Sequence, residues 1–290
     1  MQLMIWITIF WCIISSLDIL KTKAQECPAD RDKPWSYDPN FPNGPSNWSA
    51  RYPDCNGQSQ SPINIDTSKT SKAKGRQNLR LNGYETPINN VEIENNGHTI
   101  AITPRDGTRR SLDLDNVNYS LESFHFHWGN LSTKGSEHEI NGRKYAMEAH
   151  FVHRNDQGEI AVVGVFFEEN YRKNPTLDTI LSVMDEYLYE DETFEGTITQ
   201  WWLFRRNIYL ENLVDNGCSY YRYNGSLTTP PCSENVTWLV CKPIKYVKRS
   251  QMRQLYSLYS VRRGTDNEDK CHLINNYRPI QPLNGRKVYA

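Results

Sequence analysis

The sequence lacks an excess of charge of either sign. It contains 33 lysine and arginine residues against 34 aspartate and glutamate residues, so its formal net charge at pH 7 is −1. A chain with so little net charge has no general electrostatic attraction to nucleic acid or to an anionic membrane surface. We therefore expect no nucleic-acid partner.

The sequence also lacks an apolar run long enough to cross a bilayer as a helix, which takes roughly 20 residues. Its longest apolar segment, Leu3–Ile14, has 12 residues, the length of the hydrophobic part of a secretory signal peptide. Small residues at Thr22 and Ala24 predict cleavage after Ala24, so residues 1–24 would be the signal peptide and residues 25–290 the mature, secreted chain. The alternative is a buried N-terminal strand or helix. The polar C-terminus predicts no membrane anchor.

No Cys-x-x-Cys pair occurs, which argues against a zinc site built from thiolates. Cys12 falls in the predicted signal peptide, and an even number of cysteines in the remaining, exported chain indicates disulfide bonds. The remaining cysteines are Cys27, Cys55, Cys218, Cys232, Cys241 and Cys271. The chain also carries Asn-x-Ser/Thr sequons at Asn47, Asn118, Asn130, Asn224 and Asn235.

Helical periodicity is scarce. Only Leu177–Leu188 and a stretch from a predicted cap at Ser250 to Tyr259 place apolar residues at helical spacing. Short alternating or apolar runs separated by turn residues recur from Pro62 onward, and this pattern is typical of many strands. Because no linker divides the chain, we predict a single mainly β (α+β) domain over residues 25–290, with a few short peripheral helices.

The stretch Phe124–Trp128 alternates aromatic and imidazole side chains. Successive residues of a strand face opposite sides, so His125 and His127 share one face and the aromatic rings take the other. The same alternation in a second segment puts Glu148 and His150 on one face. Three neutral imidazoles around an open fourth position form a catalytic zinc site, in which a bound water has a pKa of about 7.

The spacing of the residues leaves the third ligand open between His150, His153 and His138. Glu148 precedes His150 by two residues and could accept the second N–H of its ring. The alternative is that all these histidines are core residues hydrogen-bonded to the backbone.

The sequence closely resembles the α-class carbonic anhydrases in segments that follow one another in family order. They are "QSPINI" (Gln60–Ile65), "NNGH" (Asn95–His98), "FHFHWG" (Phe124–Gly129), "GSEHEING" (Gly135–Gly142), "YAMEAHFVH" (Tyr145–His153), "GSLTTPPC" (Gly225–Cys232), "VTWLV" (Val236–Val240) and "NNYRPIQPLNGR" (Asn275–Arg286). The similarity covers the chain from about Trp35 to Arg286. It implies one large twisted, mostly antiparallel sheet of about ten strands with zinc at the base of a conical cleft.

The resemblance also implies the ligands, with Zn²⁺ bound by His125, His127 and His150. Thr228 would accept the proton of the zinc-bound hydroxide, and Glu137 would accept that of the Thr228 hydroxyl. His138 matches a structural histidine of the family. The implied substrate-binding residues are Thr228, Thr229, Val152, Val162, Leu227 and Trp238, of which the last four match the apolar wall that receives carbon dioxide.

His98 matches the residue that carries protons between the zinc site and buffer, a role for which an imidazole with a pKa near 6.5 is suited. Asn96 and Tyr37 match polar residues that order the intervening waters. The chain departs from the family at Ser123, where a side-chain amide usually holds the first zinc histidine, His125.

Cys55 and Cys232 match the disulfide of exported family members, which would pin the loop that carries Thr228. Three pairings stay open for the other cysteines, Cys27, Cys218, Cys241 and Cys271. Asn224 and Asn235 lie in strand-like motifs, so the better glycosylation candidates are Asn47, Asn118 and Asn130.

The resemblance therefore implies a secreted enzyme that reversibly hydrates carbon dioxide to bicarbonate and a proton by means of a zinc-bound hydroxide. Aromatic sulfonamides and small anions are the expected inhibitors. The alternative is a non-catalytic relative that serves as a secreted binding or mineral-matrix protein. Such relatives usually lack a zinc histidine, whereas all three are present in this sequence.

Overall fold

The structure is a computed structural model of the chain. It describes residues 27–73, 78–130, 133–200, 204–205 and 207–290. The predicted signal peptide, residues 1–24, lies outside the described residues.

The described residues are organised mainly as β-strands. In chain order the strands are β1 (Asn64–Ile65), β2 (Leu81–Asn82), β3 (Val91–Asn95), β4 (Ile100–Pro104), β5 (Ser111–Leu114), β6 (Val117–Trp128), β7 (Glu139–Ile140), β8 (Met147–Arg154), β9 (Ile160–Asn170), β10 (Glu192–Gly196), β11 (Thr199–Gln200), β12 (Phe204–Arg205), β13 (Tyr220–Ser226), β14 (Glu234–Cys241) and β15 (Lys245–Lys248). Eleven strands form one sheet, while β1 pairs with β7 and β11 with β12 in two small sheets.

The large sheet follows the order β10-β3-β4-β6-β8-β9-β14-β13, with β5 joining β2 to β6 and β15 pairing with β9. Its pairs are antiparallel, except that β14 and β15 each run parallel to β9. The structure thus confirms the predicted mainly β domain with one large, mostly antiparallel sheet.

The helix predicted over Leu177–Leu188 is shorter in the structure. Helix α1 spans Pro175–Leu181, and the Asn174 side chain caps it by accepting a hydrogen bond from the backbone N–H of Leu177. The chain then continues as a 3₁₀ turn at Met184–Glu186. The Ser182 hydroxyl donates a hydrogen bond to the backbone carbonyl of Thr179 in the last turn of the helix. Such a local side-chain contact competes with the backbone hydrogen bonds that would continue the α-helix.

The predicted cap at Ser250 is wrong. Helix α2 spans Arg249–Leu255, and the Gln251 side chain accepts a hydrogen bond of 3.1 Å from the backbone N–H of Lys248, so a glutamine of the first turn replaces the hydroxyl cap. The other 3₁₀ segments are Pro28–Asp32, Pro45–Ala50, Pro53–Asn56, Thr67–Lys69, Leu210–Asn212 and Glu268–Lys270.

The large sheet separates two hydrophobic cores. Alternate residues of β9 enter different cores, with Val163 in the larger one and Val162 in the smaller one. The larger core also receives Phe124, Phe126 and Trp128, which are completely buried. The aromatic side of β6 therefore packs in the interior as the alternation predicts, and its histidine side faces the other way.

Three disulfides occur in the described residues. Cys55 bonds with Cys232, the pair that the family resemblance implies. The remaining pairs, Cys27–Cys271 and Cys218–Cys241, select one of the three pairings that the sequence left open.

Candidate metal centre

Two neighbouring strands bring three histidines together. The antiparallel register of β6 and β8 places His125 directly opposite His150, and His127 lies two residues further along the same face of β6. The ring centroids are 5.0 Å apart for His125 and His127, 5.2 Å for His125 and His150, and 4.6 Å for His127 and His150. Their nearest ring nitrogens all lie within 4.8 Å of one another, close enough for one metal ion to bind all three.

Buried partners orient two of the rings. His127 donates from Nδ1 to the backbone carbonyl of Asn276 at 2.6 Å, and His150 donates from Nε2 to Oε1 of Glu148 at 2.9 Å. These hydrogen bonds fix the tautomers and leave Nε2 of His127 and Nδ1 of His150 as acceptors. The free Nε2 of His127 is buried and has no hydrogen-bond partner among the residues that the structure describes.

The other two candidates for the third ligand are engaged elsewhere. His153 lies on the opposite face of β8 and is hydrogen-bonded through Nε2 to the Tyr84 hydroxyl at 2.6 Å. His138 is held between Glu148 at 2.7 Å and the Tyr223 hydroxyl at 2.6 Å, distances of ordinary hydrogen bonds. Of the three, only His150 shares a site with the pair on β6.

Glu148 joins the metal centre to the neighbouring loop. Besides the two histidine rings, it accepts hydrogen bonds from the backbone N–H groups of Glu137 at 2.9 Å and His138 at 2.8 Å. Burial alone raises the pKa of Glu148, but attraction to His138 and His150 outweighs burial, so the pKa lies well below its usual value. Glu148 therefore stays ionised and holds the ring of His150 in place.

Glu137 is completely buried beside the histidines. Its Oε1 accepts a hydrogen bond of 2.7 Å from the backbone N–H of Arg278. Its Oε2 lies 3.5 Å from Nε2 of His127 and has no hydrogen-bond partner within the described part of the chain. Burial raises the pKa of Glu137, while His150, the Arg278 N–H and the Thr228 hydroxyl each lower it. Thr228 is thus close to Glu137, although no hydrogen bond of ordinary length reaches Oε2.

The donor set fits a zinc ion. Burial, together with repulsion from the neighbouring histidines, lowers the pKa of His125 well below its usual value and that of His127 to about 3. The imidazoles of His125 and His127 are therefore neutral at physiological pH, the form that binds zinc. The buried Nε2 of His127, which has no hydrogen-bond partner among the described residues, would gain one from a bound ion, which removes the cost of leaving it unsatisfied.

His125 differs from the other two ligands. Within the described residues, its ring forms no hydrogen bond with Ser123 or with any other side chain, so the serine does not replace the amide usual in the family. Ser123 lies opposite Val152, next to a bulge in the pairing of β6 and β8. The rings of His127 and His150 meet the ring of His125 edge to face, with centroids 5.0 and 5.2 Å away.

Comparison with known proteins agrees with this geometry. The family model for eukaryotic-type carbonic anhydrases matches residues 43–290. Carbonic anhydrase 7 of Homo sapiens is 35% identical over 272 residues, which cover 88% of this chain and 96% of the relative. Putative carbonic anhydrase 3 of Caenorhabditis elegans is 35% identical over 88% of this chain and 96% of the relative, and carbonic anhydrase 6 of Homo sapiens is 34% identical over 84% and 79%.

The chain belongs to the eukaryotic-type carbonic anhydrase family. Carbonic anhydrases act on carbon dioxide and bicarbonate and are in general zinc-dependent. Within the residues that the structure describes, no helix has the length and apolar character needed to span a membrane.

The four residues predicted to form an apolar wall lie on or beside the strands next to the metal centre of this carbonic anhydrase. Val152 of β8 lies opposite Val162 of β9, which in turn lies opposite Trp238 of β14. Leu227 packs against the same cluster. The indole N–H of Trp238 donates a hydrogen bond of 2.9 Å to the backbone carbonyl of Ser226. The one polar group of this ring is therefore satisfied, and the ring contributes an apolar surface to the wall.

His98 lies against an aromatic ring from the N-terminal segment. The ring of His98 is stacked on that of Trp35, with centroids 3.6 Å apart and planes 10° apart. Burial lowers the pKa of His98 to about 3, and repulsion from Lys33 contributes to the shift. The expected pKa near 6.5 is therefore wrong for this position of the ring.

Asn96 and Tyr37 accompany His98 in the structure. The Asn96 side chain accepts hydrogen bonds from the backbone N–H groups of His98 at 3.0 Å and Thr99 at 2.9 Å, so it shapes the turn that carries the histidine. Tyr37 meets His98 edge to face at 6.2 Å, and both line a cavity of about 420 Å³. Burial raises the pKa of Tyr37 well above its usual value, and the charge of Glu137 raises it further.

The disulfide Cys55–Cys232 is connected to the metal centre through a buried arginine. Arg278 donates to the backbone carbonyl of Cys55 at 3.0 Å and to the Gln60 side chain at 2.8 Å, and Gln60 donates to the carbonyl of Cys232 at 3.2 Å. Since the backbone N–H of Arg278 holds Glu137, one residue links the disulfide to the site.

Asn276 and Arg278 also hold the site, although the sequence pattern does not predict this role for them. Asn276 accepts from the ring of His127 and also binds the backbone of His98 and Trp128, so it ties two functional histidines to one segment. Both residues are buried and polar. The signal was present in the segment "NNYRPIQPLNGR" (Asn275–Arg286), which contributed to the family match but received no role.

Proposed function

We propose that the protein catalyses the reversible hydration of carbon dioxide to bicarbonate and a proton, with Zn²⁺ bound by His125, His127 and His150. The observation that carries this proposal is the convergence of three imidazoles beside Oε2 of Glu137, which has no hydrogen-bond partner among the described residues. When bound, Zn²⁺ supplies a nucleophile at neutral pH by lowering the pKa of a water molecule to about 7.

Glu137 and Thr228 would orient the attacking oxygen. The backbone N–H of Arg278 fixes the Glu137 carboxylate, which would accept the hydroxyl proton of Thr228. Thr228 could then only accept a proton from the attacking oxygen, so the lone pair of that oxygen would point toward carbon dioxide. Preorganised contacts of this kind favour the transition state because they need no rearrangement during the reaction.

The apolar side chains of Val152, Val162, Leu227 and Trp238 would receive carbon dioxide. Carbon dioxide has no net charge and binds beside such a surface without loss of strong hydration, whereas charged bicarbonate is disfavoured there. Thr229, the residue after Thr228, would contact the substrate at the end of this wall. Aromatic sulfonamides and small anions would compete for the same position.

His98 would carry the released proton to buffer. Its position beside Tyr37 and on a turn fixed by Asn96 supports this role. With a pKa of about 3 the stacked ring is a poor proton acceptor. We therefore propose that transfer occurs when the imidazole has moved off Trp35, into water.

We propose that the protein is secreted, with a signal peptide at residues 1–24 and the carbonic anhydrase domain at residues 25–290. The three disulfides support this proposal, since such bonds form in oxidising compartments.

Asn47, Asn118 and Asn130 are exposed, as acceptors of N-linked sugars must be. The Asn118 amide donates to Ser111 at 2.8 Å and to Asp113 at 2.7 Å, contacts that a sugar would replace in part. Asn224 and Asn235 do lie in strands, but both are exposed, so their position in strands does not exclude them.

Stopped-flow measurement of carbon dioxide hydration tests the proposed function. Protein expressed in an oxidising compartment would be assayed after its zinc content is measured, with and without an aromatic sulfonamide. We expect hydration far above the buffer rate and its loss on addition of the sulfonamide. Protein with one zinc per chain that is no faster than buffer would refute the proposal.

A further inference from the structure

A second cavity, separate from the three histidines, lies between the end of β13 and the C-terminal segment. Its volume is about 690 Å³. It is lined by four cationic side chains and one carboxylate, together with three other residues of polar character. The lining residues that the argument uses are Lys72, Asp115, Arg222, Arg286, Lys287 and Tyr289. We call this cavity the basic cleft.

The positive charge of the basic cleft is largely unmatched. Arg222 forms an ion pair of 2.6 Å with Asp115. Lys72 and Lys287 are exposed and form no ion pair or hydrogen bond with any described residue. An anion bound in the cleft would supply a negative charge to cations that have no ion-pair partner among the described residues.

Four backbone carbonyl groups fix the Arg286 side chain in the wall of the basic cleft. Its guanidinium donates to the backbone carbonyls of Leu283 at 2.9 Å, Asn224 at 3.0 Å, Gln60 at 2.7 Å and Pro282 at 2.9 Å. These neutral acceptors fix its orientation without cancelling its charge, and no carboxylate of the described residues forms an ion pair with it. A half-buried cation held this way is a fixed positive centre for an anionic ligand.

The remaining lining suits a sugar. The Tyr289 ring is 39% exposed, and the Asn224 side chain beside it is also exposed. An aromatic face and an amide are groups that contact sugar rings and hydroxyls. The cavity is also far larger than one sulfate or phosphate ion, and its volume falls in the range of sites that hold drug-sized ligands.

We propose that the basic cleft binds an anionic saccharide, whose sulfate or phosphate esters contact Lys72, Arg222 and Lys287 while its ring lies against Tyr289. The shared chemistry is a tetrahedral oxoanion on a sugar ring. Sulfated oligosaccharides and sugar phosphates both offer it, and the experiment below distinguishes these two sources. The proposal does not depend on the proposed catalytic function.

Isothermal titration calorimetry at low and at physiological salt tests the proposal. The probes are a trisulfated heparin-derived disaccharide, fructose 1,6-bisphosphate and an unsulfated disaccharide. We expect one of the two anionic probes to bind and the unsulfated one not to bind. The affinity should fall as salt rises, because the contacts are between charges near the surface.

The decisive comparison uses two variants with the same change in net charge. Lys72→Glu with Lys287→Glu should weaken binding by about tenfold or more, because like charges would face the ligand. Lys173→Glu with Lys270→Glu reverses two exposed lysines outside the cleft and should change the affinity by less than about twofold. Both variants should hydrate carbon dioxide at the rate of the unmodified protein.

Either of two results would overturn the proposal. One is that neither anionic probe binds below millimolar concentration. The other is that both double variants weaken binding equally, since attraction would then come from overall charge. If Lys72→Glu with Lys287→Glu does not fold, the pair Lys72→Gln and Lys287→Gln gives the same comparison with a smaller expected loss.

Discussion

Replacing Trp35 with alanine is expected to make His98 a better proton acceptor. In the structure the two rings are stacked 3.6 Å apart, and burial lowers the pKa of His98 from 6.5 to about 3. Removal of the indole would expose the imidazole to water, so its pKa should return toward 6.5. Lys33 lowers the pKa of His98 by a smaller amount than burial does. The Lys33 ammonium forms ion pairs with Asp30 at 3.4 Å and with Glu190 at 3.2 Å, and all three residues remain in the variant.

The magnitude follows from the two pKa values. If the ring stayed stacked on Trp35, its pKa of about 3 would make proton transfer from a zinc-bound water with a pKa of about 7 cost about 5 kcal/mol, at about 1.36 kcal/mol for each pKa unit, and this is the upper limit of the cost because the ring can first move off Trp35. If the variant restores the pKa of His98 to about 6, this cost falls to about 1.4 kcal/mol. In weak buffer, where proton transfer limits turnover, we expect the rate to rise by about tenfold or more.

Two measurements check this prediction. Nuclear magnetic resonance titration of the Cε1–H signal of His98, identified by its loss in His98→Ala, gives the pKa directly. Stopped-flow assays in weak and strong buffer give the turnover. Trp35→Phe is the matched control, because it keeps an aromatic ring over the imidazole and should hold the pKa low.

Two outcomes would refute the reasoning. A pKa of His98 that stays near 3 in Trp35→Ala would show that the indole is not what desolvates the ring. An equal rise in turnover in the double variant with His98→Ala would show that the gain does not pass through this histidine.

The same pKa shift makes a prediction about stability. The pKa of His98 is lower in the folded protein than in the unfolded chain, so between pH 6.5 and about pH 3 the unfolded chain binds the proton more readily. The contribution of His98 to stability is therefore complete above pH 6.5 and is lost as the pH falls toward 3. Trp35→Ala should reduce this acid-induced loss, as measured by urea unfolding across this pH range.

Three further predictions concern the metal centre and the disulfide. His127→Ala should lower the zinc content from about one per chain to near zero by elemental analysis, and retained zinc would contradict the proposed ligand set. Ser123→Gln should slow zinc loss to a chelator by about tenfold, because an amide could hold the ring of His125; an unchanged rate would show that this ring needs no such partner. Cys55→Ser with Cys232→Ser should cost about 2–5 kcal/mol in the free energy of unfolding and lower turnover, since the loop of Thr228 loses its anchor. A loss of stability with full turnover would separate the disulfide from the site.

Matched controls accompany these three experiments. Lys270→Ala, an exposed site far along the chain from the histidines, should keep its zinc and its turnover. Cys27→Ser with Cys271→Ser also removes a disulfide and should cost stability, but it leaves Arg278 and Gln60 anchored to Cys55 and Cys232. A greater loss of turnover in the Cys55 and Cys232 variant than in this control would therefore report on the site rather than on stability alone.

The alternation of residues predicted much of the metal centre. In β6 the period of two assigned Phe124 and Phe126 to the core and His125 and His127 to the other face, because strand geometry alone decides this. It could not choose the third ligand, since that choice depends on the register between β6 and β8. A shift of one residue would have turned His150 away, and the register is decided by the packing of both strands in the whole sheet.

The contacts that sequence reasoning did not predict join segments that are distant in the chain. Asn276 reaches the ring of His127, Arg278 holds Glu137, and Trp35 covers His98, in each case from a loop or terminal segment outside the strands of the site. Hydrophobic periodicity does not predict such contacts, because each depends on the path that an irregular segment takes across the folded sheet. The consequence is largest at His98, whose residue type alone predicts a pKa near 6.5. Burial in the folded chain lowers this pKa to about 3, and the indole stacked on the ring is a contact that the sequence pattern does not predict.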